Sequence, residues 1–107
     1  MTRIAFLDVD GTILEHGTAI ADSTVTAIRT ARENGHLVYL CTGRAAGDIH
    51  QKVRDIGYDG AITNGGAYAV RGDELLFAEP MPREDTDRLI SYFESEDIDY
   101  FLQSNEA

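Results

Sequence analysis

The sequence predicts an α/β fold with a parallel sheet, and three observations carry that prediction. Two apolar runs have strand length, an amphipathic helix lies between them, and the same rhythm repeats directly afterwards. The chain has 107 residues, a length that suits one small domain. Ile4-Ala5-Phe6-Leu7 is continuous rather than alternating, the pattern of a strand buried on both faces of a helix-covered sheet. A polar, Gly-containing loop runs from Gly11 to about Ala21. Asp22 or Ser23 can then cap a helix whose apolar positions Val25, Ile28 and Ala31 share one face. Asn34-Gly35 ends that helix in the usual C-terminal manner. Leu37-Val38-Tyr39-Leu40-Cys41 is the second buried strand, and the three elements make a βαβ unit with a right-handed crossover.

Ile49, Val53 and Ile56 mark a second helix, closed by Gly57, and Gly60 to Thr63 is a third strand. The rhythm then changes. Ala67–Val70 and Glu74–Ala78 flank Arg71-Gly72-Asp73, which reads as a β-hairpin turn. An Arg-Gly-Asp triplet can serve adhesion in secreted proteins, but here the turn accounts for it. Pro80-Met81-Pro82 breaks the hairpin and marks a boundary. Beyond it, Leu89, Ile90 and Phe93 stripe a third helix beginning near Pro82–Asp85, and Ile98 to Leu102 reads as one more strand.

Composition narrows the function. Nineteen acidic residues against nine basic ones leave a net charge of −10, which repels phosphate backbones and argues against nucleic acid as a partner. No apolar stretch approaches the roughly 20 residues needed to cross a bilayer, and the N-terminus lacks the plan of a signal peptide, so no membrane partner is expected. Cys41 is the single cysteine, so no internal disulfide forms and a cytoplasmic location is the simplest expectation.

The chemistry concentrates at Asp8-Val9-Asp10-Gly11-Thr12, where the first strand ends. Residues i and i+2 of a strand face the same side, so Asp8 and Asp10 converge while Val9 turns to the core. Two carboxylates so close repel and call for positive charge, for which a hard cation such as Mg²⁺ with oxygen ligands is suited. Gly11 permits a sharp turn and a close backbone approach. Alone, the pair could simply end a strand. Thr42-Gly43-Arg44, however, occupies the equivalent place after the second strand, and ligands of open α/β sheets bind beyond the carboxyl ends of strands. On neighbouring strands about 4.8 Å apart, the Thr42 hydroxyl would lie beside the Asp8 carboxylate. The hydroxyl, the Gly43 N–H and the following helix N-terminus would form an anion site.

Asp8-Val9-Asp10-Gly11-Thr12, Cys41-Thr42-Gly43-Arg44 and Thr63-Asn64-Gly65-Gly66 together resemble the haloacid dehalogenase (HAD) superfamily. The closer likeness is to its Cof-type phosphatase branch, which inserts an α/β cap (type C2B) after the third core strand. The resemblance implies a Rossmann-like core with an incomplete parallel sheet, a β-hairpin and the beginning of a cap. Residues 1–80 would be the N-terminal part of the core, and 81–107 the start of a truncated cap domain. It implies a Mg²⁺-dependent phosphomonoester hydrolase acting on small phosphorylated metabolites such as sugar phosphates. Asp8 would attack phosphorus to give an aspartyl-phosphate, and Asp10 would protonate the leaving oxygen and then activate water. Mg²⁺ would be held by the Asp8 side chain and the Asp10 carbonyl. Thr42 and Gly43 would bind the phosphoryl oxygens, with Gly11, Arg44 and Asn64 near the substrate or fixing the loops. Asp10 favours phosphate chemistry over carbon–halogen cleavage, because the dehalogenase branch lacks the second Asp.

Two family elements have no counterpart here: a lysine paired with the nucleophile and a late acidic motif that completes the metal shell. Lys52 is the only lysine and falls on the exposed side of the second helix. The expectation is a fragment of a larger phosphatase, with little activity alone, whose first strand is an apolar edge prone to self-association. A phosphomutase of the same superfamily and a non-catalytic phosphate- or partner-binding module are the alternatives. A receiver domain ranks last, because Thr63-Asn64 offers no Asp after the third strand. Cys41 reads as a buried structural thiol, Tyr58, Tyr68, Tyr92 and Tyr100 as packing residues, and Glu94-Ser95-Glu96-Asp97 as a solvated helix end. His16 could touch substrate from its loop, but His16, His36 and His50 lack the spacing of a zinc site.

Overall fold

A computed structural model describes residues 1–104 of the chain. Five strands form one sheet in the order β1-β2-β3-β4-β5: Ile4–Asp8, Leu37–Cys41, Gly60–Thr63, Tyr68–Arg71 and Glu74–Ala78. The first three are parallel and the last two extend the sheet as an antiparallel hairpin. The helices are α1 (Asp22–Glu33), α2 (Gln51–Ile56) and α3 (Arg83–Ser95). The α/β class, the β2 and β3 boundaries and the hairpin agree with the sequence. Gly72, at φ +58°, supplies the left-handed backbone that the tight Gly72-Asp73 turn requires.

One core holds α1, α2 and the parallel strands, while α3 buries no residue in it. Ile28 of α1, Val53 and Ile56 of α2, Val38 and Leu40 of β2 and Ala61 of β3 are buried together, along with Ile49. Val9, Ile13 and Leu14 join them from the loop after β1. Each large aliphatic side chain buried in this way stabilises the fold by about 1.5–3 kcal/mol.

Several expectations are corrected. β1 is not buried on both faces: Ile4 is 49% and Phe6 57% exposed. The core built around α1 and α2 covers the side to which Leu7 and Val9 turn, while Phe6 on the other side packs against Tyr39, at 5.7 Å between ring centroids. β1 ends the sheet, so the expected apolar edge is present. Neither Asp22 nor Ser23 caps α1; the helix begins at Asp22 after Ala21, with no side-chain cap. Ile49 precedes α2 in an extended conformation, because its side chain is drawn into the core before the helix starts. Ile98–Leu102 is not a strand. It pairs with no strand among the described residues; instead the Tyr100 ring packs 5.7 Å from Phe93 and its hydroxyl donates to Glu94 Oε1 at 3.0 Å. No described helix is long and apolar enough to cross a membrane.

Candidate active site

The site is assembled at one end of the parallel strands. β1 and β2 run in register with Asp8 opposite Cys41, so Thr42 follows at the same end of the sheet as Asp8. Val9 is fully buried while Asp8 and Asp10 are exposed, which is the alternation expected of the two acids. The turn behind them is fixed rather than loose. Thr12, Ile13 and Leu14 all donate backbone N–H groups to the Val9 carbonyl (3.3, 3.0 and 2.9 Å), and Gly11 N–H donates to Leu14 O at 2.8 Å. Ile13 and Leu14 are each 2% exposed and anchor this turn in the core. The sequence offered a signal for that role, an Ile-Leu pair inside an otherwise polar loop, but the segment reads there as plain loop. Gly11 sits at φ +85°, a conformation costly for any residue with a Cβ.

Thr42 is buried, and its Oγ1 accepts from Arg44 N–H at 3.0 Å. The ladder between β2 and β3 continues past the strand ends. Thr42 N–H donates to Ile62 O (2.9 Å), Asn64 N–H to Arg44 O (2.9 Å) and Gly65 N–H to Thr42 O (3.1 Å). The loops Thr42-Gly43-Arg44 and Asn64-Gly65-Gly66 are therefore tied to each other by their backbones. Asn64 adopts φ +53° and is followed by Gly65 at +66° and Gly66 at +105°. Its Oδ1 is buried and has no hydrogen-bond partner among the described residues.

Arg44 is turned onto Asp10. Its Nε donates to Asp10 Oδ2 at 2.8 Å and its Nη2 to Oδ1 at 3.0 Å, a bidentate fork. The hydrogen bond from Arg44 holds the Asp10 carboxyl below the usual carboxylate range, and Asp10 in turn raises the guanidinium pKa. Both side chains are nearly half exposed, 47% and 45%, so the pair orients Asp10 without adding much stability. Nothing in the sequence pattern announced this fork, since 34 residues separate the partners.

The helix N-terminus expected beside Gly43 is not there. A single 3₁₀ turn, Ala46–Asp48, intervenes, and α2 begins only at Gln51 with His50 Nδ1 accepting from Lys52 N–H. Lys52 reaches Thr18 O at 3.3 Å and is otherwise exposed. His36 Nδ1 accepts from Arg3 N–H at 3.1 Å, a fastening of the chain start to β2. Burial pushes the Cys41 thiol up, and the neighbouring Asp8 charge adds to the effect, so this thiol is not an activated nucleophile.

Asp8 and Asp10 offer hard oxygen donors of the kind Mg²⁺ prefers. They are a partial set: no group of three or more His, Cys, Asp or Glu suited to a metal occurs among the described residues.

Comparison with known proteins places phosphatases among those the chain is similar to. The chain is 33% identical over 95 residues to the 5-amino-6-(5-phospho-D-ribitylamino)uracil phosphatase YwtE of Bacillus subtilis, covering 89% of this chain and 33% of that protein. It is 34% identical over 84 residues to the pyridoxal phosphate phosphatase YbhA of Escherichia coli, covering 76% of this chain and 31% of the relative. The phosphatase BT1666 of Bacteroides thetaiotaomicron superposes with a TM-score of 0.79 at 29% identity, over 91% of this chain and 37% of that one. The subclass IIB sugar phosphatase BT4131 gives 0.76 at 29% identity, over 90% and 38%. The chain thus spans about a third of the length of the curated relatives it matches. Residues 5–107 match the family model of the haloacid dehalogenase-like hydrolases, and the chain belongs to that family.

Proposed function

We propose that this chain carries the nucleophile half of a phosphatase that hydrolyses small phosphorylated metabolites through an aspartyl-phosphate. Residues 1–80 supply that half of the core, and 81–107 begin a cap. The observation that carries the reading is the register of β1 and β2, which sets Asp8 and Thr42 at one sheet end, with Asp10 and Gly43 flanking them in sequence. An Asp8 carboxylate oxygen attacks phosphorus and the P–O ester bond breaks. Asp10 gives its proton to the departing alkoxide, then takes one from the water that attacks phosphorus and frees Asp8 and inorganic phosphate. The Thr42 hydroxyl and the Gly43 N–H bind the phosphoryl oxygens, where charge builds during transfer. The hydrogen bond from Arg44 lowers the Asp10 pKa in the free site, which opposes protonation of Asp10 while that fork is made. The Asp8 side chain and the Asp10 carbonyl are the groups here that would hold Mg²⁺, which when bound offsets the charge of the transferring phosphoryl group.

With Lys52 turned to the Thr18 carbonyl and two donors toward the metal, the chain alone is expected to turn over little substrate. Its chemistry is therefore tested first by binding. Beryllium trifluoride, which mimics a phosphoryl group on a carboxylate, is titrated into the ¹⁵N-labelled chain with Mg²⁺ present. Amide signals of Asp8, Thr42 and Gly43 are expected to shift, and Asp8→Asn is expected to abolish the shifts. Shifts retained in Asp8→Asn would remove the nucleophile assignment. In a version extended to the relatives' length, the same substitution is expected to abolish p-nitrophenyl phosphate hydrolysis.

A further inference from the structure

A cavity of about 160 Å³ lies apart from the candidate active site, between the 3₁₀ turn Ala46–Asp48, α2 and the strands β3 and β4. None of Asp8, Asp10, Thr42 and Gly43 lines it. At about 30 Å³ per water, it has room for roughly five waters or for an organic molecule of about six non-hydrogen atoms.

Its floor is apolar and its edge is cationic. Ile49 and Ala61 are buried, Val70 is half-buried, and all three line the cavity. Arg54 lines it too and is exposed, so this side chain stands where the cavity meets solvent. Its Nε donates to Ile49 O at 3.2 Å and its Nη2 to Ala46 O. Both acceptors are neutral carbonyls, and no ion pair engages Arg54 among the described residues. One edge of the guanidinium is thus committed and holds the head in place. The Nη1–Nη2 edge keeps donors in the fork geometry that suits a carboxylate. Asp59 is the acid on the wall, but its oxygens already accept from Arg32 and from Val38 N–H, so Arg54 sets the sign of the cavity. In a chain of net charge −10, a cation held against an apolar floor is a local exception.

An inorganic anion would meet the fork and leave the floor wet, whereas an uncharged alcohol would cover the floor and leave the fork unmet. A short-chain carboxylate satisfies both. We propose that this cavity is a second binding site, for a short-chain monocarboxylate whose carboxylate meets the Arg54 fork and whose alkyl tail lies over Ile49, Ala61 and Val70. Ala46 and Thr63 of its lining adjoin the Thr42-Gly43-Arg44 and Asn64-Gly65-Gly66 loops in sequence, so an occupant abuts the roots of both.

The test titrates butyrate, acetate and 1-butanol into the ¹⁵N-labelled 107-residue chain at fixed ionic strength, with amide shifts as the readout. Butyrate is expected to give saturable shifts at Ala46, Ala61 and Val70 with a Kd of about 1 mM. It is expected to bind at least about threefold tighter than acetate, because it buries two further methylene groups. 1-Butanol has the tail without the charge and is expected to bind at least about tenfold more weakly than butyrate. Arg54→Gln is expected to weaken butyrate at least about tenfold. Val70→Phe fills the floor, leaves Arg54 in place and is expected to remove the preference for butyrate over acetate. The three-ligand comparison uses the unmodified chain, so a variant that fails to fold does not shield the proposal. Butyrate without saturable shifts at the cavity overturns it. So does a preference over acetate below about threefold, 1-butanol binding within about tenfold of butyrate, or a butyrate preference that survives in both folded variants.

Discussion

Asp59 fastens the strands on which the candidate site depends, and replacing it is the most direct test of that fastening. Its carboxylate accepts from Val38 N–H at 2.8 Å and from Arg32 Nε and Nη2 at 3.2 and 3.3 Å. Its own N–H donates to Val38 O at 2.8 Å. It thereby joins α1, the start of β2 and the entry to β3. Asp59→Ala leaves the N–H of the buried Val38 without a partner, which costs about 1–3 kcal/mol. Losing the partly exposed pair with Arg32 adds roughly 0.2–1 kcal/mol. A total near 2–3 kcal/mol is a large share of the roughly 5–15 kcal/mol that stabilises a small domain. Urea unfolding at neutral pH is expected to show it as a midpoint lowered by about 1–2 M. The sign of the pH dependence follows from the same contacts. Burial alone would raise the Asp59 pKa, but the Val38 N–H and the Arg32 guanidinium outweigh it and leave it below its ordinary value. A depressed folded-state pKa stabilises fully above the ordinary carboxylate range, about 4, and that contribution is lost as pH falls through the lower folded value. The gap between wild type and Asp59→Ala should therefore be widest near neutrality and narrow in acid. A gap under about 0.5 kcal/mol at neutral pH, or one that does not narrow in acid, would refute the reasoning.

Three further outcomes are expected. Gly60→Ala places a Cβ 2.5 Å from Tyr39 Cε2 and from the Val70 backbone oxygen, so β3 and β4 must part. A cost of about 1–3 kcal/mol should appear in thermal unfolding, and an unchanged Tm would contradict the close approach. Asn64→Gly removes a buried acceptor without a described partner from a residue at φ +53°; it should be more stable than Asn64→Ala by about 1 kcal/mol in urea. Phe6→Lys charges the apolar edge strand and should reduce self-association in sedimentation velocity, whereas an unchanged distribution would exonerate β1.

The parts of this molecule that sequence made legible are those with local causes. Leu37–Cys41 and Gly60–Thr63 are short apolar runs bounded by turn residues, and their strand limits matched. Asp8 and Asp10 could be placed because strand alternation is a rule of two residues, and Val9 went to the core as that rule requires. Interactions between distant segments left no such trace. The Arg44–Asp10 fork and the ties from Asn64 and Gly65 to the Thr42 loop depend on how β1, β2 and β3 lie side by side. Exposure of β1 was also hidden in part: Ile4-Ala5-Phe6-Leu7 looks the same whether a second layer covers it or not. Ile98–Leu102 failed as a strand because β propensity needs a partner edge, and the Tyr100–Phe93 contact took its place.

The backbone ties between the two loops make them one mechanical piece. A residue inserted into Gly43-Arg44 would drag Asn64 and Gly65 with it, and lengthening Asn64–Gly66 would displace Thr42 in return. Re-engineering of substrate choice in this scaffold therefore has little freedom at that end of the sheet. Variation is better tolerated from Met81 onward, where α3 and its trailing segment can be redrawn without disturbing those shared amides.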